Sequence, residues 1–167
     1  MSKKPVIVSM DPGSIKFGLA RLDGKKIITS LAEVDSKGEL HNRLWQLLMI
    51  VAGVLQKWQP THVVLEKVFV RRGEKSNPQT ALVIGAARGV GLISAASVCA
   101  RVLGVQHARA KKLLTGTGKA TKDEVRAAAE KLVTQDRLPL EDECDAIAVG
   151  CVGWLEITGK LWPGKTK

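Results

Sequence analysis

Apolar positions recur along this chain with two periods, and where the period changes an element ends. Val6 to Met10 is a short apolar run cut off by Asp11-Pro12-Gly13-Ser14, which reads as a buried strand stopped by a turn. Phe17 to Leu22 and Lys26 to Leu31 read as two further strands, with Asp23-Gly24 between them as a hairpin signal. Three strands joined by short turns predict an antiparallel meander. Leu40, Leu44, Leu47, Leu48, Val51, Val54, Leu55 and Trp58 then keep the 3.6-residue period of a helix, and Pro60 stops it. Val63 to Glu66 is a fourth strand, parallel to the first because a crossover helix precedes it.

After a polar, basic loop from Phe69 to Asn77, Pro78 suits the first turn of a second helix with Asn77 as its cap. That helix is expected to run to about Leu103. It contains Gly85, Gly89 and Gly91, which lower helix propensity and imply close approach of another helix. Val105 to Ala108 can form a fifth strand and Arg109 to Leu114 a short helix, with Thr115 to Gly118 as a loop. Thr121 and Glu124 have the spacing of a capping box opening a helix to about Val133. Past Pro139, a last helix holding Asp142 closes near Gly159. The order predicts an α/β fold: a five-stranded mixed sheet with helices on both faces. Residues 1–160 make one domain, and 161–167 a short basic tail expected to be mobile.

Four carboxylates stand at informative places in this layout. Asp11 ends the first strand and Glu66 the fourth, so parallel neighbours would bring both to the carboxyl edge of the sheet, where open α/β sheets place their sites. Asp142 and Asp145, three apart, share a helix face. Each has an ordinary explanation alone: a turn residue, a solvated strand end, acids favoured by a helix N-terminus. Together they would repel unless a cation intervened. Oxygen-only ligands suit Mg²⁺ or Mn²⁺ rather than zinc. Two such ions ~3.5–4 Å apart clamp the attacking and leaving oxygens of a phosphodiester displacement.

Charge supports a polyanionic partner. The chain has 26 Lys and Arg against 16 Asp and Glu, a formal charge of +10. From Lys75 to Lys122 there is no acid, while Arg88, Arg101, Arg109, Lys111, Lys112 and Lys119 fall in between, so this interval is expected to supply a binding face, for nucleic acid first and an acidic membrane surface second. Cys99, Cys144 and Cys151 form no CxxC pair or even set and read as buried free thiols in a reducing cytoplasm. Asp11 ends the first apolar run too early for a signal peptide. The most apolar stretch, Thr80 to Ala100, has Arg88 near its centre and is read as a buried helix, with no membrane partner.

Four segments in order, Asp11-Pro-Gly-Ser14, Leu65-Glu-Lys-Val-Phe69, Gly85-Ala-Ala-Arg-Gly-Val90 and Asp142-Glu-Cys-Asp-Ala-Ile-Ala148, resemble the RuvC family of Holliday junction resolvases, which have the ribonuclease H fold. The resemblance spans Ile7 to about Gly153. It implies that Asp11, Glu66, Asp142 and Asp145 match the family's catalytic acids, holding two Mg²⁺, with Mn²⁺ as a substitute. Phe69 matches an aromatic pressed into the junction near its crossover. Lys112 and Lys122 match basic residues facing the scissile strands, and Arg71, Arg72, Lys75 and Lys119 extend the basic surface. The helix with Gly85 to Gly91 matches the family's dimer contact. A cytoplasmic homodimer cutting four-way DNA junctions in recombination and repair, alongside a branch-migration motor of the RuvA and RuvB type, is the implied whole. Water would attack the phosphorus and the 3′ oxygen leave, giving a 5′ phosphate.

The sequence departs from the family at two places. Lys16-Phe17-Gly18 stands where many members have Gly-Tyr-Gly, and Glu143-Cys144 replaces smaller residues, setting a fifth acid beside the presumed ligands. Other readings stay open here. A RuvX-like nuclease of RNA processing would share Asp11 and the basic charge, although the Phe69 loop and the small-residue helix argue against it. A non-catalytic junction-binding protein would share the basic face without needing four acids. A sugar-kinase or actin-type ATPase would need a second domain. Single-strand binding by base stacking is disfavoured by an aromatic content of 4% and no Tyr.

Overall fold

The structure, a computed structural model, describes residues 4–67 and 78–163. β1 (Ile7–Pro12), β2 (Lys16–Leu22) and β3 (Ile27–Glu33) form the expected antiparallel meander. α1 (Leu40–Trp58) crosses over, and β4 (His62–Glu66) returns parallel to β1. α2 (Pro78–Ser97) leads to β5 (Arg101–Val105), parallel to β4. α3 (His107–Thr115), α4 (Lys122–Glu130) and α5 (Glu141–Thr158) follow. The strand order is β3-β2-β1-β4-β5, so β3 and β5 are the edges.

Strand alternation divides the apolar residues into two cores. Val8, Met10, Phe17, Leu19, Val63 and Leu65 point to one face, where Leu47, Val51 and Leu55 of α1 and Val90 and Ala95 of α2 cover them. Ile7, Ala20, Leu22 and Val64 point to the other, under Ala110 of α3, Val125 and Ala129 of α4, and Ile147, Cys151 and Trp154 of α5. The mixed sheet with helices on both faces is thus as expected. α5 lies closest to the sheet. The Ser9 hydroxyl donates to the Ala146 carbonyl at 2.6 Å, and a side chain at Gly150 would run into Ser9 and Leu22.

Several boundaries differ from the sequence reading. α2 ends at Ser97 rather than near Leu103, because Cys99 takes a left-handed φ of 54° and the Ala100 N–H turns back to the Ala95 carbonyl at 3.1 Å. The fifth strand is then Arg101–Val105, not Val105 to Ala108. Apolar continuity from α2 into β5 hid this break, since a short apolar run fits helix and buried strand equally. α3 begins two residues before Arg109, and α4 stops at Glu130 rather than Val133. Its capping box is present: the Glu124 N–H donates to Thr121 Oγ1 at 3.3 Å and the Thr121 N–H to Glu124 Oε2 at 2.7 Å. The proposed Asn77 cap lies outside the described residues.

α2 is not the buried helix expected. Ala87, Val90, Gly91, Ser94 and Ala95 are buried, but Leu82, Ile84 and Ile93 stand exposed, and side chains added at Gly85 or Gly89 would meet open space. Only Gly91 marks a close approach, to the sheet and not to a helix: a Cβ there would lie 2.7 Å from Leu65 and 3.3 Å from Phe17. By length and composition α2 could cross a membrane, with a mean hydropathy of 1.4. Two further corrections concern cysteine and the tail. Cys144 and Cys151 are buried free thiols, but Cys99 is exposed. The tail begins docked, with Trp162 edge-on to Trp154 at 4.8 Å between ring centres.

Candidate active site

The register brings the acids together. β1 and β4 pair Ile7 with His62 and, rung by rung, Met10 with Leu65. Asp11 and Glu66 each follow directly on that last pair. Alternation then decides their face. Asp11 follows Ile7 and Ser9 in the period of two, and Glu66 follows Val64, so both lie on the side covered by α5. On the other flank Asp11 is paired with Gly18 of β2. A Cβ at Gly18 would collide with the Asp142 carbonyl. The first turn of α5 therefore presses its backbone onto the strand next to Asp11, with Asp145 one turn further on the same face of α5. All four acids are half-buried. By donor type they suit a hard cation. Among the described residues, no three His, Cys, Asp or Glu side chains are grouped closely enough to hold a metal ion. Backbones and faces converge, while the side chains do not form a closed ligand set.

Two arginines brace this corner, and neither role was foreseen from the sequence. Arg88 of α2 reaches under the sheet edge and donates from Nε to the Glu66 carbonyl at 3.0 Å. It belongs to the basic interval assigned to DNA, yet here it anchors the end of β4. Arg137, in the loop before α5, forks onto Glu143, donating from Nη1 to Oε2 at 2.8 Å and from Nη2 to Oε1. Glu143 is fully buried and also accepts the Leu140 N–H at 2.7 Å. Burial alone would push its carboxyl up, but Arg137, the Leu140 N–H and the Thr29 hydroxyl outweigh that and hold it below the ordinary carboxylate value. Glu143 thus points away from the other acids. The fifth acid expected beside the ligands is a structural one. Its buried side follows from the helix, which turns it about 100° from Asp142.

The cations of the predicted DNA face divide in the same way. Lys122, at the start of α4, pairs with Glu141 at the start of α5. That partner's hydrogen bond and charge, with smaller help from Asp145 and Asp142, hold the ammonium above its ordinary value despite slight desolvation. Lys122 thus lies within electrostatic reach of both aspartates. A small cleft of about 50 Å³ there is lined by Lys122, Arg126, Glu141, Cys144 and Asp145 among others. Lys112 and Lys119, on the last turn of α3 and the loop after it, are exposed. Arg109 instead pairs with Glu156, and Lys111 donates to the Ala120 carbonyl at 3.1 Å. A sequence interval free of acids is therefore not a surface free of acids, because folding supplies Glu141 and Glu156 from α5. Phe69, Arg71, Arg72 and Lys75 lie outside the described residues.

A mixed sheet in this order, with acids ending two neighbouring parallel strands and opening the helix laid across them, defines a ribonuclease H-like nuclease. The family profile described as crossover junction endodeoxyribonuclease RuvC matches residues 7–152. The crossover junction endodeoxyribonuclease RuvC of Legionella pneumophila (strain Corby) is 30% identical over 149 residues, covering 86% of this chain and 83% of the relative. That of Beijerinckia indica is 32% identical over 148 residues, covering 86% and 82%. Among solved structures, Thermus thermophilus RuvC in complex with a Holliday junction substrate superposes with a TM-score of 0.72 at 23% identity, over 87% of this chain and 90% of that one. The yeast mitochondrial resolvase Ydc2 does so at 0.61 and 12% identity, over 93% and 79%. The chain belongs to the RuvC family of crossover junction endodeoxyribonucleases. The resemblance read from its four motifs is borne out, and the RuvX-like, ATPase and purely DNA-binding readings are set aside.

Proposed function

We propose that this protein resolves four-way DNA junctions by metal-dependent phosphodiester hydrolysis, with Asp11, Glu66, Asp142 and Asp145 as the cation-holding acids. The observation that carries the site assignment is the shared corner: Asp11 and Glu66 directly after the last β1–β4 pair on the α5 face, with the Asp142 carbonyl against Gly18. A bound pair of Mg²⁺, or Mn²⁺ in its place, would supply an activated water and neutralise charge on the leaving 3′ oxygen. The chain does the rest. Its carboxylates set the cation position, and the packed sheet behind them keeps that position rigid. Lys122 hands its charge from Glu141 to a backbone phosphate, and Lys112 and Lys119 continue that track. Phe69, three residues beyond Glu66, would open the bases at the crossover, with Arg71, Arg72 and Lys75 holding the flanking phosphates.

Two such sites acting on strands of like polarity call for a two-fold dimer. The exposed apolar face of α2, with Leu82 and Ile93 around the open surfaces of Gly85 and Gly89, supports that helix as the contact. A second copy would cover what the monomer leaves in water. The reading extends to work in the cytoplasm alongside a branch-migration motor of the RuvA and RuvB type.

The test is Asp142→Asn, measured for junction cutting, junction binding and Mn²⁺ binding by calorimetry. Cutting and metal binding should be lost and junction binding retained. Parallel loss of junction binding, or unchanged metal binding, would show Asp142 to be only part of the helix start.

A further inference from the structure

α5 is strapped to the edge of the sheet by the loop that precedes it. β3 is an edge strand, and residues 134–137 occupy the outward hydrogen-bonding groups of Ile27 and Thr29 at its start. The Thr134 N–H and hydroxyl both donate to the Ile27 carbonyl, at 3.0 and 2.9 Å. Gln135 brackets Thr29, accepting its N–H at 2.8 Å and donating to its hydroxyl at 2.8 Å. Arg137 adds a 3.4 Å contact to the Thr29 carbonyl and then turns its guanidinium onto Glu143. Glu143 in turn holds the Leu140 N–H that opens the helix. A continuous chain of polar contacts thus runs from β3 to the turn of α5 that carries Asp142 and Asp145.

We propose that Arg137 and Glu143 are positioning residues for the cation site: their pairing sets the rotation and height of the first turn of α5, and so where the Asp142 and Asp145 carboxylates stand. Two features separate this from general stabilisation. Glu143 lies between the two presumed ligands in sequence, so any tilt it permits moves both. Asp142 has no slack against the sheet, because its carbonyl already abuts Gly18. A buried charge pair is also an inefficient way to stabilise a helix start, since apolar residues of similar volume usually do as well. What the pair supplies is direction: a forked guanidinium and a carboxylate meet in one geometry. This inference rests on the proposed role of Asp142 and Asp145.

The experiment uses the whole protein and compares Arg137→Ala, Glu143→Gln and the apolar double replacement R137M/E143M. Thermal unfolding is read beside Mn²⁺ binding by calorimetry without DNA, amide hydrogen exchange over residues 140–145, and single-turnover cutting of a four-way junction. The double replacement should stay folded, because no charge is left unpaired. Its metal affinity should nonetheless fall roughly 10- to 100-fold, the usual consequence of losing a group that orients a ligand. Its first-turn amides should exchange faster, while junction affinity without metal is unchanged. Glu143→Gln, which keeps an acceptor for the Leu140 N–H, should lose less. Unchanged metal affinity in the folded double variant overturns the proposal. If Asp142→Asn also leaves metal binding intact, the cation assignment itself has failed; if only the double variant does, the acids stand and the strap is structural.

Discussion

Gly18→Ala probes the closest contact in the site with a single methyl group. Gly18 is extended, so alanine meets no backbone obstacle, and in an ordinary strand the change would gain roughly 0.5–1 kcal/mol. Here the new Cβ would fall on the Asp142 carbonyl and 3.0 Å from the Glu143 nitrogen. Both are backbone atoms, and the helix carrying them is held from behind by Ser9 on Ala146 and by the Glu143–Arg137 pair. Relief requires the start of α5 to lift from β2 by something on the order of 1 Å. Overpacking of this kind costs about 1–3 kcal/mol. At a specific slope of about 2–4 °C per kcal/mol for a chain of this size, the melting temperature should fall by roughly 2–12 °C. The protein stays folded, but the acids on α5 move away from Asp11 and Glu66, and a displacement near 1 Å costs on the order of 100-fold in rate. Single-turnover cutting of a four-way junction at saturating Mg²⁺, run well below the melting temperature, measures it. A variant that melts lower yet cuts within about twofold of the parent would refute the reasoning, since α5 would then not need its seat on Gly18.

Thiol labelling should find one fast cysteine in the native protein and three after denaturation: Cys99 is exposed, whereas burial, first among the causes, pushes the Cys144 and Cys151 thiols up to about 12. Equal rates for all three would contradict the packing of α5. At the β2–β3 turn, burial raises the Asp23 carboxyl, but the Lys26 and Lys25 N–H groups and Arg21 outweigh it and hold it low. Its contribution to stability is therefore present above the ordinary carboxylate value and disappears as pH falls through the lowered one. Asp23→Asn should accordingly destabilise at neutral pH and lose that effect in acid, which denaturant unfolding across pH will reveal. Leu82→Glu, on a residue 73% exposed in the single chain, should shift the proposed dimer toward monomer in sedimentation without lowering helix content; a loss of fold instead would place Leu82 in the core. Exchanging Lys112 and Lys119 for Gln should flatten the fall of junction affinity with salt by about 0.9 per lost phosphate contact, and an unchanged slope would move the DNA track elsewhere.

Local pattern alone determined much of this protein. The Asp23-Gly24 hairpin and the 3.6 period of α1 are short-range features, and each dictated its element, whereas β1 runs on through Asp11 and Pro12, paired with Gly18 and Phe17, where the sequence placed a turn. The meander and the parallel return of β4 followed from connection lengths, so the placement of Asp11 and Glu66 at one edge was legible before any coordinates. The four motifs added the family. Tertiary structure decided what depends on partners far away in sequence. The break at Cys99 was hidden because β5 is set by pairing with β4, not by its own period. Glu143 counted as a fifth acid near the site because it lies between Asp142 and Asp145 in sequence; Arg137 and the edge of β3 draw its carboxylate the other way. Arg88 counted toward the basic interval because net charge counts a guanidinium without its acceptor, and only the fold brings the Glu66 carbonyl to it. Gly18, an isolated glycine in a strand, signals a close approach without saying of what. Its lack of a side chain matters solely because α5, more than a hundred residues later, comes to rest on it.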